Sequence, residues 1–151
     1  MLRNPGIRLE ILGLIHKNPG ITIKDISGTL DVPKTTCMFH LNNLKEKQQI
    51  KINGYGKKRY FLEDTSQNEI RLITPLRILT TKEIVLNLIK NDMQTFHDLC
   101  ENINKSKSTI SIYLKKLIDE EIVQLKIKNK EKIFSLKDKG KLEELIKKYN
   151  F

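Results

Sequence analysis

Residues 33–44 read Pro33-Lys34-Thr35-Thr36-Cys37-Met38-Phe39-His40-Leu41-Asn42-Asn43-Leu44. At a separation of 73 residues the chain reads Ser106-Lys107-Ser108-Thr109-Ile110-Ser111-Ile112-Tyr113-Leu114-Lys115-Lys116-Leu117. Each stretch repeats apolar residues at i, i+4 and i+7: Cys37, Leu41 and Leu44 in the first, Ile110, Leu114 and Leu117 in the second. That spacing gathers three side chains on one stripe of a helix and predicts helices over about 33–47 and 106–120. At 100° per residue the opposite face of the first holds Thr35, Phe39 and Asn42, flanked by Thr36, Met38 and Asn43. The second presents Ser108, Ile112 and Lys115, flanked by Thr109, Ser111 and Lys116, and both helices open on a lysine, Lys34 or Lys107. Small hydroxyls near the helix start can meet phosphates, and the longer groups that follow can reach base edges, so these faces suit a groove of DNA.

The two stretches belong to a longer repeat. Residues 8–62 align without gaps on 81–135, with 12 identities in 55 positions, among them Glu10/Glu83, Thr22/Thr95, Asp25/Asp98, Thr36/Thr109 and Phe61/Phe134. A period this long is a duplicated small domain and not a solenoid unit. Each copy starts with an apolar helix, near Ile7–Lys17 and Lys82–Lys90. Thr22-x-x-Asp25 and Thr95-x-x-Asp98 then mark the start of a short second helix, because a capping Thr and an acid three residues on can satisfy the free backbone N–H groups there. A tight turn, Asp31-Val32 or Asn104-Lys105, leads into the third helix.

After that helix the period changes to two. Ile50–Asn53, Gly54-Tyr55-Gly56 and Lys57–Leu62 read as a β-hairpin with a basic tip at Lys57, Lys58 and Arg59. Val123–Ile127, Lys128-Asn129-Lys130 and Glu131–Phe134 read as a second, carrying Lys128, Lys130 and Lys132. Basic groups beside such turns can lie on a phosphate backbone or in a minor groove. The expected organisation is an N-terminal domain over 1–66, a linker and packing segment over 67–80, and a C-terminal domain over 81–151. Within 63–79 a polar linker gives way to Ile70, Leu72, Ile73, Leu76 and Ile78, too apolar to stand in water and expected to pack as helix or strand between the domains. Leu142, Leu145, Ile146 and Tyr149 form a helical stripe in the tail, which docks on its own domain or serves dimerisation. The fold class is mainly α with small β-hairpin wings.

Charge narrows the partner. The chain carries 28 Lys+Arg against 18 Asp+Glu, net +10. Eleven basic against four acidic residues fall in 1–62, and fifteen against eleven in 81–151, so the N-terminal half seeks polyanions more strongly. Nucleic acid and an anionic membrane surface both fit such a surplus. The apolar runs fall far short of the ~20 residues that span a bilayer, and the N-terminus lacks the pattern of a signal peptide, so a cytoplasmic protein without a membrane partner is expected. Alanine is absent while Ile, Lys and Asn abound, as an AT-rich genome would produce. Cys37 and Cys100 form no CxxC pair, and His16, His40 and His97 form no HxxxH spacing. Buried structural thiols are the preferred reading of the cysteines, with a metal site shared across a dimer as the alternative. No Ser/His/Asp or Cys/His set shares a motif, and Gly54-x-Gly56 lacks the GK[ST] and following helix of a phosphate loop. Neither an enzyme nor a cofactor is expected. His40 and Tyr113 stand at the edge of the outer face, where packing and DNA contact are equally open.

The stretch Ser106–Leu117 resembles the recognition-helix signature of MarR- and ArsR-like winged helix regulators, and Pro33–Leu41 resembles the variant common in archaeal members. The tandem arrangement is similar to small archaeal transcription regulators, the archaellum-operon regulators among them. The resemblance implies a third helix in the major groove and a wing on the backbone or minor groove. Family members usually carry a polar side chain or Arg where Phe39 and Ile112 stand, which shifts readout toward thymine methyls or DNA shape. Pro33 replaces the usual N-cap Ser and is expected as a first helical residue. The metal-ligand motifs of ArsR sensors are absent. The expected function is a sequence-specific double-stranded DNA-binding transcription regulator. A homodimer or multimer on DNA and contact with the basal transcription machinery remain open, and a tandem protein–protein module is the alternative.

Overall fold

The computed structural model describes residues 5–54 and 57–151, which divide into two units between Ile73 and Thr74. Tyr55 and Gly56 of the expected first turn lie outside the described residues, as do residues 1–4.

The first unit contains helices α1 (Pro5–Lys17), α2 (Ile23–Leu30) and α3 (Lys34–Glu46), the strands β1 (Ile50–Asn53) and β2 (Arg59–Leu62), and helix α4 (Gln67–Ile73). The strands pair antiparallel from Ile50↔Leu62 to Asn53↔Arg59. Ile11 and Ile15, one turn apart on α1, meet Ile26 of α2, the Cys37, Leu41 and Leu44 stripe of α3, and Ile50 and Tyr60 of the hairpin. Each fully buried Ile or Leu gains roughly 1.5–3 kcal/mol over its exposed state, so this cluster dictates how the three helices cross. Gly54 leaves β1 at φ 117°, and a Cβ there would stand 2.5 Å from the Lys57 carbonyl oxygen, so only glycine starts this turn without strain.

The second unit opens with a 3-10 turn over Thr74–Arg77. It continues with α5 (Leu79–Lys90), β3 (Gln94–Thr95), α6 (Phe96–Asn102), α7 (Lys107–Asp119), β4 (Val123–Lys128), β5 (Glu131–Leu136) and α8 (Lys139–Tyr149). Its sheet is antiparallel in the order β3-β5-β4. The stripe Ile110, Leu114 and Leu117 is buried with Ile84, Val85, Leu88 and Leu99, as its counterpart is in the first unit. Asn129 and Lys130 both have positive φ, 52° and 66°, as the two central residues of a type I′ turn require. Lys128, expected in that turn, instead ends β4.

Several boundaries differ from expectation for identifiable reasons. The 67–80 segment is helical through most of its length, because α4 buries Ile70, Leu72 and Ile73 and the 3-10 turn buries Pro75 and Leu76. α5 starts at Leu79, before Lys82, where the Thr81 hydroxyl donates to the Pro75 carbonyl at 2.6 Å and fastens the helix to the preceding turn. Pro33 is the N-cap and not the first helical residue: its ψ is 145° and its carbonyl accepts from Cys37 N–H at 3.0 Å. In α8, Leu142 and Leu145 are buried. Lys139 pairs with Asp92, and the Arg77 guanidinium lies 4.5 Å from the Phe151 ring centroid, so the tail docks on its own unit.

Both short second helices start where the Thr-x-x-Asp spacing placed them. Thr95 Oγ1 accepts from Asp98 N–H at 3.1 Å and the Asp98 carboxylate accepts from Thr95 N–H at 3.0 Å, a complete reciprocal box. In the first copy Asp25 N–H donates to Thr22 Oγ1 at 3.3 Å, and the Thr22 hydroxyl donates to the Asp25 carboxylate at 2.9 Å. Bonds from the Thr95 backbone and hydroxyl hold the Asp98 carboxyl below its ordinary value. A lowered folded-state pKa stabilises above the unfolded value and ceases to do so as pH falls through the folded one. As the N-cap of α6, Thr95 satisfies a free backbone N–H, so Thr95→Ala is expected to destabilise the second unit by about 1 kcal/mol at neutral pH. Part of the difference from wild type should fade as pH falls from about 4, the ordinary carboxyl value, through the lowered pKa of Asp98, and denaturant titrations at pH 7 and pH 3 check both parts.

Candidate nucleic-acid interface

Burying the Cys37–Leu41–Leu44 stripe turns the opposite side of α3 to solvent. Lys34, Thr35, Met38, Phe39 and Asn42 are exposed along it, with Phe39 38% accessible. Thr36 and Asn43 are half-buried at its margins, and Asn43 Oδ1 is enclosed with no hydrogen-bond partner among the described residues. On α7 the exposed side chains are Lys107, Ser108, Ser111, Ile112, Lys115 and Lys116, with Thr109 half-buried. The Ser106 hydroxyl caps this helix, accepting from Thr109 N–H at 3.1 Å and donating to Thr109 Oγ1 at 2.8 Å. Lys115 bridges to Asp119 at 3.0 Å, and Lys116 Nζ lies 5.1 Å from the centre of the Tyr113 ring.

His40 is fully buried: Arg8 of α1 donates from Nε to His40 Nδ1 at 3.3 Å, and the Phe39 ring meets the imidazole edge-on. Of its two open readings, packing holds. Tyr113 is half-buried. Cys37 is also buried, its thiol donating to the Val32 carbonyl at 3.8 Å, and burial pushes its pKa up. The Ser27 hydroxyl donates to the same carbonyl at 2.6 Å, so Val32 joins the end of α2 to the start of α3.

The wings differ. Lys57 and Lys58 are exposed beside the first turn. Arg59, read from sequence as their equal, is half-buried, and its NH1 donates to the Gly20 carbonyl at 3.0 Å, 39 residues away. Burial lowers its pKa while the Asp25 carboxylate acts in the opposite direction. No periodicity carries this contact; only the three-dimensional approach of β2 to the α1–α2 loop creates it. The second wing exposes Lys128, Lys130 and Lys132, together with Leu125 and Ile127, the latter 73% accessible. The alternation Val123, Leu125, Ile127 signalled one apolar face, yet the strand outruns its core and only Val123 is buried. Between α7 and this wing lies an open groove of about 430 Å³, lined by Phe96, Leu114, Ile118, Leu125, Lys115 and Lys132.

Each unit thus sets a helix–turn–helix beside a hairpin wing, the arrangement of winged helix domains. Residues 6–51 match the family described as winged helix-turn-helix DNA-binding, and residues 80–124 match the bacterial regulatory protein, arsR family. An uncharacterised HTH-type transcriptional regulator of Methanocaldococcus jannaschii is 29% identical over 120 residues, covering 79% of this chain and 30% of that protein. The chain thus spans less than a third of that relative's length. Among solved structures, HlyU from Vibrio cholerae is 18% identical with a TM-score of 0.48, over 58% of this chain and all of that one. The transcriptional repressor BigR from Xylella fastidiosa is 21% identical with a TM-score of 0.45, over 53% of this chain and 85% of that one. Among the described residues, no helix is long and apolar enough to cross a membrane.

The enclosed Cys37 thiol is expected to resist an aromatic disulfide reagent in the native protein and to react once denaturant opens the first unit. Mass mapping of the labelled peptides checks this, and rapid native labelling of Cys37 would contradict its burial.

Proposed function

We propose that this chain is a DNA-binding transcription regulator in which α3 and α7 enter the major groove and the basic wings lie on the backbone or minor groove. The observation that carries the reading is the outer face of α3. A lysine and small hydroxyls at its start, then Phe39 and Asn42, stand exposed in the half of the chain with the larger positive surplus. The two family matches and the methanogen relative support it. On this reading Lys34, Thr35, Thr36, Lys107, Ser108 and Thr109 contact phosphates near the helix starts. Met38, Phe39, Asn42, Ser111, Ile112 and Lys115 face the bases, with Asn43 and Lys116 at the margins. Lys57, Lys58, Lys128, Lys130 and Lys132 take the backbone. The archaeal relative and the alanine-free composition support an archaeal regulator, and the duplicated domain is the feature shared with the archaellum-operon group.

Wing and helix are expected to fail differently. Lys58→Ala should weaken binding to all duplexes alike and reduce the salt slope by about one. Asn42→Ala or Phe39→Ala should lower preference for a selected site by roughly 1–3 kcal/mol per lost base contact. Titrations of selected and scrambled duplexes at several salt concentrations separate the two effects. Specificity lost through the wing and kept through the helix would overturn the docking.

One observation favours a different role for the second domain: Ile112, Leu125 and Ile127 expose an apolar surface beside its groove, as a protein-binding module would. If both domains bind DNA, the footprint of one chain exceeds a single half-site, and Lys107→Ala with Ser108→Ala shortens it and lowers affinity. An unchanged footprint and affinity would assign this domain to a protein partner.

A further inference from the structure

The two copies fasten their wings in different ways. In the second unit the residues before α6 form a true strand, β3, which pairs with β5 at Gln94↔Phe134 and Thr95↔Ile133. Gln94 is buried there, and its side chain donates to the Asn87 and Asn91 carbonyls at 2.8 and 3.1 Å, so backbone and side chain together hold the wing to the helices. In the first unit the corresponding contact is one isolated bridge, Ile21↔Tyr60. Gly20 N–H donates to the Tyr60 carbonyl at 2.8 Å, and Tyr60 N–H to the Ile21 carbonyl at 3.0 Å. That bridge is shorter than the two-residue pairing of β3, so beyond the buried Tyr60 and Phe61 fewer directional bonds fix the course of this wing. The Arg59 bond to the Gly20 carbonyl lies directly beside it and supplies a second point of attachment. At the repeat-equivalent position the second copy has Lys132, which is exposed.

We propose that Arg59 is a positioning residue, fastening the first wing to the loop between α1 and α2 so that Lys57 and Lys58 are held for the phosphate backbone. The guanidinium adds a third directional bond to the two backbone bonds of the bridge, and the planar fork of Arg can serve the Gly20 carbonyl while the Asp25 carboxylate stabilises its charge. The lysines themselves, on the far side of Gly54, are exposed. This division of labour within the triplet Lys57-Lys58-Arg59 rests on the DNA-binding reading for its consequence, though not for the fastening.

The test uses the full chain in two arms. In the free protein, Arg59→Ala is expected to speed amide exchange at Gly20 and Tyr60 by about tenfold, since one of the three hydrogen bonds joining β2 to this loop is gone. On duplex DNA, Lys58→Ala should weaken the wild type and reduce its salt slope. In the Arg59→Ala background it should change affinity by no more than about twofold, because a wing already displaced has little left to lose. Unchanged exchange overturns the proposal, and so does a Lys58→Ala effect of equal size in both backgrounds, which would mean that Arg59 does not position Lys58. Arg59→Lys keeps the charge but replaces the fork by a point donor, and it serves if the alanine variant does not fold. Fastening predicts exchange between wild type and a freed wing, whereas a phosphate contact predicts wild-type exchange and slope. A wild-type chain indifferent to duplex DNA would sink the DNA reading, and the exchange arm would then decide the fastening by itself.

Discussion

Burial of one stripe on the third helix governs the orientation of everything around it. Cys37, Leu41 and Leu44 are at most 1% accessible, packed with Ile11, Ile15 and Ile26 from the two preceding helices. Because successive residues turn by 100°, rotating α3 by one position would expose that stripe and push Met38 and Asn42 inward. Losing three buried side chains would cost several kcal/mol, comparable to the whole stability of a small domain. The outward display of Thr35, Phe39 and Asn42 is therefore a by-product of packing: the core fixes the helix azimuth, and the azimuth selects what faces solvent. Ile110, Leu114 and Leu117 impose the same condition on α7.

Core packing fixes the base of the first wing more firmly than its tip. Tyr60 and Phe61, neighbours on β2, are buried on opposite faces of the strand, whereas Lys57 and Lys58 nearer the turn are exposed. Beyond that base, the wing's direction must come from directional bonds. The duplicated domains solve this separately, with a paired strand in one and a lone bridge supplemented by a guanidinium in the other. Neither helix stripe had to change for the wings to diverge. That independence lets one scaffold carry two wings of different length and surface.

The parts legible in the sequence were those with a period. Helix stripes, the Thr-x-x-Asp starts and the strand alternation all follow from local geometry, and the repeat reinforced each by showing it twice. The gaps have physical causes. β3 is two residues long, too short for any alternation, and exists only because β5 lies beside it. Gln67, Asn68 and Glu69 read as polar linker, yet they form the first turn of α4; the apolar part that follows, expected as helix or strand, is helix where Ile70, Leu72 and Ile73 are buried. Arg59 is grouped with Lys57 and Lys58 in the sequence because its charge is visible there, whereas its bond to a backbone carbonyl 39 residues earlier is not. His40 stood at the edge of the helix wheel, and the bond from Arg8 placed it in the core.

The apolar residues in the middle of both outer faces bear on how discrimination is shared. Phe39 is 38% and Ile112 58% accessible, and neither can hydrogen-bond a base. Apolar surface left in water forgoes roughly 25 cal/mol per Å², which is recovered only when another apolar surface covers it. In a major groove that surface is the thymine methyl, so on the DNA-binding reading both helices favour A·T pairs at their centres. Around these centres the copies are unequal. α3 has Asn42, whose amide can both donate to and accept from an adenine edge. α7 has Lys115 at that place, a point charge already bridged to Asp119. On that reading hydrogen-bonded base discrimination falls mainly on the first domain, while the second brings lysines and hydroxyls, contacts that add affinity with less dependence on sequence.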